Sequence, residues 1–395
     1  MPETPKIAAA APKKRLALFL DGTWNAVDDN TNVWRLKSLC SPSSTDGSIQ
    51  LTYYEIGVNG FLGGMFGEGL DKNICKAYEW LIGHFNPGDE IFIFGFSRGA
   101  YTARSLAGYI AKCGLLKPGA PLGVKQLYER YRRQDARTIW RLLADREQGT
   151  LGETTLEEQW MLNYSMAVRI KLVAVWDTVG ELGIPFFSIP GISRSTLGFL
   201  HTGLRLSIEN GFHALAIDEH RRAFAPTLWT KRTPNDPNEK VADARPISSV
   251  EQRWFVGAHA NVGGGYESDL LPQLPLRWIM KKASLHGLAF RNDVEIDGNV
   301  VNAQISDSYS EFMYGAYSIF SGRYFRPIGA APQQKDDGLQ SNVNETIDSS
   351  VFERWRLVSE YRPPNLVEWA TRYNASPASM KTSVMADAPQ VVAPD

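Results

Sequence analysis

The side chain best placed for nucleophilic chemistry is Ser97, in the pentapeptide GFSRG at positions 95–99. The pattern G-x-S-x-G is weak by itself, because glycine and serine are common. Here an apolar run, IFIFG, leads directly into it, and a segment rich in small residues follows. A serine hydroxyl is a poor nucleophile, so it must be presented at a sharp strand-to-helix turn beside a base. Gly95 and Gly99 fit such a turn, because Cβ atoms at these two positions would collide.

A general base is expected at the end of another strand, where it can reach the serine. The sequence has six histidines: His84, His201, His213, His220, His259 and His286. His259 alone follows a predicted buried strand, in WFVGAHANVGGGY. His213 and His220 lie in FHALAIDEHRRAF, which we interpret as helical. We therefore expect His259 to be the base.

The carboxylate that orients such a histidine should lie between the serine and the histidine in the chain and should also follow a strand. Asp177 meets both conditions in KLVAVWDTVGELG. There it would hold the imidazole in the required tautomer and stabilise the imidazolium. The alternative for Asp177 is a structural role, in which it caps the next turn. Asp218 is the second candidate for the acid, but it lies in the segment interpreted as helical.

The loop after the first predicted strand, Arg15–Leu20, is expected to complete an oxyanion hole. This strand comes two before the nucleophile strand and should be its neighbour in the sheet. We assign one backbone N–H donor to Arg98 and the other to Gly22 or Thr23. Asp21 would lock the loop by accepting local N–H bonds.

A strand that ends in Asp-Gly-Thr also occurs in phosphatases of the haloacid-dehalogenase type, which use D-x-D-G-T with the first Asp as nucleophile. Phe19 occupies that first position here, so this alternative lacks its nucleophile. The glycine-rich segment 60–69 matches neither the P-loop nor the dinucleotide-binding pattern. The three cysteines have no metal-ligand spacing. The sequence therefore predicts chemistry without a cofactor or a metal.

Apolar runs and helical spacings alternate along the chain. The predicted strands are Arg15–Leu20, Leu51–Gly57, Ile91–Gly95, Ile170–Trp176 and Arg253–Gly257. The predicted helices are Asn32–Leu39, Leu70–Phe85 and Ala100–Cys113. This alternation is typical of a mostly parallel sheet flanked by helices. We therefore predict an α/β fold of the α/β-hydrolase type with helical insertions.

Composition suggests the boundaries of the domain. Residues 1–14 are rich in Pro, Ala and Lys and are expected to be disordered, as is the tail at 374–395. Between them, 15–373 should form one α/β-hydrolase domain. Within it, 113–169 is predicted to be a helical insertion and the polar stretch 330–346 a mobile loop.

Charge and composition argue against several classes of protein. A formal net charge of -1 gives no reason to expect nucleic-acid binding. Three widely spaced cysteines make no disulfide framework and favour a reducing compartment. No apolar run reaches the roughly 18 residues of a membrane span, and the N-terminal segment is a poor secretory signal. We expect a protein that is cytoplasmic, or exported without a cleavable signal peptide.

Five segments of the chain form a recognisable set. They are LFLDGTWN (18–25), GFSRGAYTAR (95–104), VWDTVGELG (175–183), HALAIDEHRRAF (213–224) and GAHANVGGGY (257–266). Together they resemble a family of α/β-hydrolases that supplies the catalytic domain of one class of bacterial type VI secretion phospholipase effectors. The resemblance runs from about Arg15 to Trp278, with YRPPNL (361–366) as a weaker late match.

The resemblance implies a lipase or phospholipase triad of Ser97, Asp177 and His259. Many relatives have Asp where this chain has Asn261. We expect hydrolysis of a lipid or phospholipid ester through a covalent acyl-enzyme. The apolar stretch 184–200 has three interpretations: an acyl pocket, a peripheral membrane contact, or core packing. The alternative function is a non-catalytic module that uses the same fold for binding or regulation.

Overall fold

The computed structural model describes residues 13–22, 29–57, 66–133, 136–179, 205–239, 241–267, 269–311, 322–336 and 338–392. The strands are β1 (Lys14–Leu20), β2 (Ile49–Glu55), β3 (Glu90–Phe96), β4 (Leu115–Leu116), β5 (Ser165–Met166), β6 (Leu172–Trp176), β7 (Gly211–Ala216), β8 (Thr230–Pro234), β9 (Val250–Phe255), β10 (Gln333–Lys335), β11 (Gly338–Asn342), β12 (Glu345–Ile347) and β13 (Val384–Met385). The α-helices are α1 (Asn32–Leu39), α2 (Phe66–His84), α3 (Arg98–Cys113), α4 (Val124–Arg132), α5 (Ile139–Glu147), α6 (Leu156–Tyr164), α7 (His259–Gly263), α8 (Gln273–Leu285), α9 (Ser308–Glu311), α10 (Ser349–Leu357) and α11 (Pro364–Arg372). Short 3-10 helices lie at Arg222–Phe224 and Val300–Asn302.

An eight-stranded sheet forms the centre of the molecule, in the order β13-β12-β9-β7-β6-β3-β1-β2. Its neighbouring strands are parallel, except for the antiparallel pair β12 and β13. As predicted, β1 lies directly beside β3, with Leu20 opposite Gly95. The carboxyl ends of parallel strands meet at one edge of a sheet, so the residues that follow β1, β3, β6, β7 and β9 are brought together there.

Helices cover both faces of this sheet, because alternate side chains of each strand point to opposite sides. In β1, Leu16 and Leu18 pack with α2 and α3 on one face. Ala17 and Phe19 pack with α1 and α8 on the other face. Burial on both faces makes the strands continuously apolar, which is the signal that the sequence analysis used. The predicted α/β-hydrolase-like class, a mostly parallel sheet flanked by helices, is confirmed.

The helical interpretation of 213–224 is wrong. The first part of this segment belongs to β7, which lies between β6 and β9 in the sheet. All of Gly211–Ala216 is buried. Ala and Leu favour helices in isolation, but contacts with two neighbouring strands and both helical layers override that preference.

Three segments that composition assigned to insertions or disorder contain regular elements. The segment 113–169 holds α4, α5 and α6, together with the paired strands β4 and β5. The stretch 330–346, expected to be a mobile loop, contains β10 and β11 and the first residues of β12, and β11 pairs with β8. The tail expected to be disordered from residue 374 contributes β13, whose Val384 is buried, as is Ala386. These few apolar side chains hold the tail against the sheet. The average composition of the tail does not reveal them, because most of its other residues are polar or small.

Some predictions concern residues outside the described ranges. They are the disorder of residues 1–12, the oxyanion donor Thr23, and the apolar stretch 184–200. Lys14, placed in the disordered N-terminal segment, is instead the first residue of β1. Among the helices of the described ranges, none combines the length and the apolar character that crossing a membrane requires.

Candidate active site

Ser97 lies at the turn between β3 and α3, and its backbone is strained. Its φ angle is +58°, in a region that residues with a side chain rarely occupy. The other described non-glycine residues with positive φ are Asn30, Asp177, Asn344 and Asn374. Asparagine and aspartate both tolerate this conformation, so Ser97 is the unusual case. Strain of this kind persists only where the surrounding packing enforces it, and it concentrates at functional sites.

Two glycines make the turn at Ser97 possible. A Cβ atom on Gly95 would lie 2.4 Å from the carbonyl oxygen of Gly99. A Cβ atom on Gly99 would lie 2.2 Å from the carbonyl oxygen of Leu20, at the end of β1. Both distances are far shorter than any van der Waals contact. The start of α3 is thus pressed against the end of β1, which places the loop after β1 next to Ser97.

The imidazole of His259 faces the hydroxyl of Ser97. His259 opens the short helix α7, shortly after β9. Its Nε2 is 2.8 Å from Ser97 Oγ. The rings of Phe96 and Phe224 pack against it, with centroid distances of 4.7 Å and 5.1 Å. Burial lowers the pKa of His259 below its ordinary value, although the hydrogen bond and charge of Asp177 act in the opposite direction. The imidazole is therefore neutral near pH 7 and can accept a proton from the serine.

Asp177 follows β6 and is fully buried. Its Oδ2 accepts a hydrogen bond from His259 Nδ1 at 2.6 Å, and its Oδ1 accepts one from the N–H of Ala216 at 3.0 Å. Burial opposes its ionisation, but Arg326 and His259 hold the pKa of Asp177 well below its usual range. An ionised carboxylate only accepts hydrogen bonds, so the proton of the neutral imidazole lies on Nδ1 and Nε2 is left as the acceptor toward Ser97.

Arg326 is the residue of this site that sequence reasoning missed. Its guanidinium is fully buried and binds Asp177 through two parallel contacts, Nη1 to Oδ1 at 2.6 Å and Nη2 to Oδ2 at 2.9 Å. The carbonyl oxygens of Ala216 and Phe224 accept further hydrogen bonds from it, at 2.8 Å and 2.6 Å. In the sequence, nothing distinguishes Arg326 from its neighbour Arg323, because its partner lies 149 residues away.

Two further carboxylates position the chain around His259 without contacting its ring. Asp218, the second candidate for the acid, accepts a hydrogen bond from the N–H of Gly257 at 2.7 Å instead. Glu219 accepts one from the backbone N–H of His259 at 3.3 Å and is ion-paired with Arg221 at 2.8 Å. Burial opposes the ionisation of Glu219, but Arg221 lowers its pKa to about 2. Sequence reasoning missed Glu219, because the helical interpretation of this segment concealed the strand end that it follows.

Asp21 fixes the loop after β1. Its Oδ1 accepts a hydrogen bond from the N–H of Gly22 at 2.8 Å. Its Oδ2 accepts bonds from the hydroxyl groups of Thr31 and Tyr54, at 2.6 Å and 2.9 Å. This is the locking role expected of Asp21. The N–H of Gly22 already has a partner, so the structure does not support Gly22 as the oxyanion donor, and Thr23 lies outside the described residues.

Asn261 stabilises the turn that carries His259. Its Oδ1 accepts a hydrogen bond from the N–H of Ala258 at 3.0 Å, and its Nδ2 donates one to Asp269 at 2.7 Å. An aspartate at this position could not donate to Asp269, so the amide suits this neighbour. Within the described ranges, no group of three or more His, Cys, Asp or Glu side chains is arranged to hold a metal ion.

The sheet, the strained serine turn and the Ser97–His259–Asp177 contacts are those of an α/β-hydrolase. Comparison with known families identifies the family within this class. The chain belongs to the family described as T6SS, phospholipase effector Tle1-like, catalytic domain, whose model matches residues 14–282. This match confirms the family suggested by the five sequence segments, and its limits agree closely with those of the resemblance.

Individual proteins that are similar to this chain have sequence identities between 16% and 31%. The uncharacterized protein YEL023C of Saccharomyces cerevisiae is 31% identical over an alignment 379 residues long, which covers 87% of this chain and 52% of the yeast protein. The chain thus spans about half the length of this relative. An uncharacterized protein from Pseudomonas aeruginosa has a similar crystal structure, with a TM-score of 0.39 and 16% identity over 70% of this chain and 46% of that one. The Tle1 effector, solved bound to the VgrG spike of the type 6 secretion system, has a TM-score of 0.34 and 17% identity over 65% and 52%.

Proposed function

We propose that this protein is a serine hydrolase that cleaves carboxylic esters of lipids, phospholipids included, through a Ser97–His259–Asp177 triad. The observation that carries the proposal is the unbroken chain of hydrogen bonds from Ser97 Oγ through the His259 ring to Asp177. All three side chains follow strands of one parallel sheet and meet at the same edge. A serine becomes a useful nucleophile when an adjacent, oriented general base takes its proton, as this arrangement allows.

The reaction proceeds in two half-reactions. Ser97 Oγ attacks the acyl carbonyl carbon while His259 Nε2 takes the hydroxyl proton, and a tetrahedral intermediate forms. The bond from carbon to the leaving oxygen then breaks, and His259 returns the proton to the departing alcohol. A water molecule, deprotonated by His259, attacks the acyl-serine and releases the carboxylic acid. Asp177 stabilises the imidazolium in both halves without itself taking the proton.

Backbone N–H groups stabilise the oxyanion of each tetrahedral intermediate. Arg98 is the first residue of α3, where N–H groups point out of the helix and the helix dipole favours negative charge. We assign the second donor to Thr23, because the N–H of Gly22 is bound to Asp21. Losing one such donor typically costs a factor of about 10²–10³ in kcat.

The family supports a lipid as the substrate class, since its description names a phospholipase effector. Of the three interpretations of the apolar stretch 184–200, which lies outside the described residues, a lipid substrate would favour the acyl pocket and the peripheral membrane contact over core packing. The competing proposal is a non-catalytic binding module. The strained backbone of Ser97 favours the enzyme, because strain of this kind is concentrated at functional sites.

The direct test is hydrolysis of esters of increasing acyl length and of phospholipid vesicles by purified protein. We expect Ser97→Ala to lose a factor of about 10⁴–10⁶ in kcat and to keep its fold by circular dichroism. Ser105→Ala is the matched control, because Ser105 is a buried serine further along the same helix. Equal activity of the Ser97→Ala variant and the parent on every ester would exclude Ser97 as the nucleophile. A folded parent without activity on any ester would favour the binding module.

A further inference from the structure

Arg326 lies outside the segment 14–282 that matches the family, yet it makes the closest ionic contacts of the site. A triad carboxylate needs only its histidine and a few hydrogen bonds to remain ionised. Here a fully buried guanidinium also contacts both oxygens of Asp177. Arg326 thus becomes a fourth member of the hydrogen-bonded series Ser97–His259–Asp177, and its positive charge lies beside the negative charge of Asp177.

We propose that Arg326 is a positioning residue, which clamps Asp177 in the orientation that His259 requires and offsets its charge, so that the site stays active at mildly acidic pH. This inference rests on the proposed serine hydrolase function. It assigns to the C-terminal part of the chain a role in the chemistry of the matched domain.

Both Nη groups and the backbone carbonyl of Arg326 are held by hydrogen bonds. The planar guanidinium matches the two carboxylate oxygens, a geometry that a lysine cannot reproduce. The carbonyl oxygens of Ala216 and Phe224 take the remaining Nη hydrogen bonds, and Asn365 Nδ2 donates to the backbone carbonyl of Arg326 at 3.2 Å. Both oxygens of Asp177 are thereby fixed, including Oδ2, which also accepts from His259.

The charges around His259 occur as two matched pairs. Asp177, after β6, is paired with Arg326 at 2.6 Å. Glu219, after β7, is paired with Arg221 at 2.8 Å and touches the backbone N–H of His259. Each of these two carboxylates therefore contacts both His259 and an arginine, whereas the third nearby carboxylate, Asp218, accepts from the N–H of Gly257. The imidazolium gains less from such a pair than from a lone carboxylate. Arg221 acts to lower the pKa of His259, and we extend the same effect to Arg326.

These charges determine the direction in which Arg326 shifts the pKa of His259. Only neutral His259 can act as the base, so activity falls as the pH drops through its pKa. Removing the charge of Arg326 leaves Asp177 uncompensated, favours the imidazolium and raises that pKa. The acid limb of kcat/KM then moves to higher pH, by about one pH unit for a cation this close in a buried site. A variant that keeps the positive charge but loses the two parallel contacts to Asp177 should have a lower kcat, while the acid limb of kcat/KM stays at the same pH.

The experiment compares Arg326→Met, which removes charge and fork, with Arg326→Lys, which keeps the charge alone. Profiles of kcat/KM against pH are measured per active serine, counted by titration with a fluorophosphonate. We expect Arg326→Met to move the acid limb up by about one pH unit and both variants to lose at least about tenfold in kcat, with KM changed little. Arg354→Lys is the matched control, because Arg354 is a buried arginine whose Nη1 binds only the carbonyl oxygens of Val301 and Ala303.

Two results would overturn the proposal. One is a parent-like kcat and acid limb per active serine in both variants, which would leave Arg326 a structural role only. The other is failure of both variants to fold while Arg354→Lys folds, which would also leave Arg326 a structural role only. If the parent cleaves no ester, the proposed function fails separately. Arg326 is then judged by NMR titration of His259, whose pKa should still rise by about one pH unit in Arg326→Met and should stay unchanged if the inference is wrong.

Discussion

Replacing Asp177 by asparagine exchanges one oxygen for an NH₂ group at the most constrained point of the site. Both carboxylate oxygens of Asp177 face a guanidinium N–H of Arg326, at 2.6 Å and 2.9 Å. Oδ1 also faces the N–H of Ala216, which is always a donor. Oδ2 also faces His259 Nδ1, which becomes an acceptor if the imidazole changes tautomer. The new NH₂ group therefore takes the Oδ2 position.

The activity of Asp177→Asn follows from that placement. An NH₂ group that donates to His259 Nδ1 leaves the ring proton on Nε2. Nε2 then donates to Ser97 Oγ and can no longer accept its proton. This wrong tautomer costs about 10⁴ in kcat in a serine triad, less than the loss of the serine itself.

The stability of Asp177→Asn follows from Arg326. The amide leaves the fully buried guanidinium of Arg326 without its counter-ion. Its NH₂ group also faces the Nη2 N–H of Arg326, so that two donors oppose each other. Breaking a buried pair in this way costs about 3–5 kcal/mol of the free energy of unfolding. The double variant Asp177→Asn/Arg326→Met removes the stranded charge, so it should recover about 2 kcal/mol of stability relative to the sum of the single changes, and no activity.

The assay is urea unfolding of the parent, both single variants and the double variant, paired with ester hydrolysis. Asp218→Asn is the matched control, because Asp218 is also buried but accepts hydrogen bonds from the N–H of Gly257 and the hydroxyl of Tyr361. An amide oxygen can accept from these donors, so we expect a loss of at most about 1 kcal/mol. A change below about 0.5 kcal/mol in Asp177→Asn, or strictly additive effects in the double variant, would refute the buried ion pair.

Three further outcomes are expected. Gly99→Ala should destabilise the fold by at least about 1–3 kcal/mol in thermal unfolding, because its Cβ would lie 2.2 Å from the Leu20 carbonyl oxygen. Gly83→Ala, in α2 with nothing within 4 Å of its Cβ, should be neutral or stabilising. Arg98→Ala should change kcat by less than about tenfold, because only its backbone N–H is assigned a role; a larger loss in ester hydrolysis would give the side chain a function. The acid limb of the parent's kcat/KM should lie below 6.5, the ordinary pKa of histidine, because burial lowers the pKa of His259; a limb above 6.5 would contradict that.

The sequence predicted the elements whose signals are local. The strand before Ser97 and the helix after it were evident from an apolar run, two glycines and small residues. Asp177 and His259 were found because chain order and strand ends restrict where a triad partner can lie. The structure brings Asp177 into contact with His259, and His259 into contact with Ser97.

The remaining features depend on contacts between distant parts of the chain. β7 was misread because Ala-Leu-Ala carries helical propensity, whereas its place between two strands is a tertiary effect. Arg326 was missed because an arginine gives no sign in the sequence of the carboxylate that it binds. Gly22 was assigned as a donor from its place in the loop, but the carboxylate of Asp21 competes for the same N–H. Each of these requires the folded geometry.

The central claim is that Ser97 is an activated nucleophile, and covalent labelling by a fluorophosphonate tests it most directly. The parent is incubated with the reagent near pH 7, and the modified residue is located by peptide mass mapping. We expect one label, on Ser97, none on Ser97→Ala, and much slower labelling of His259→Ala, because an unactivated serine is almost inert. A folded parent that stays unlabelled, or that carries the label on another residue, would contradict the account.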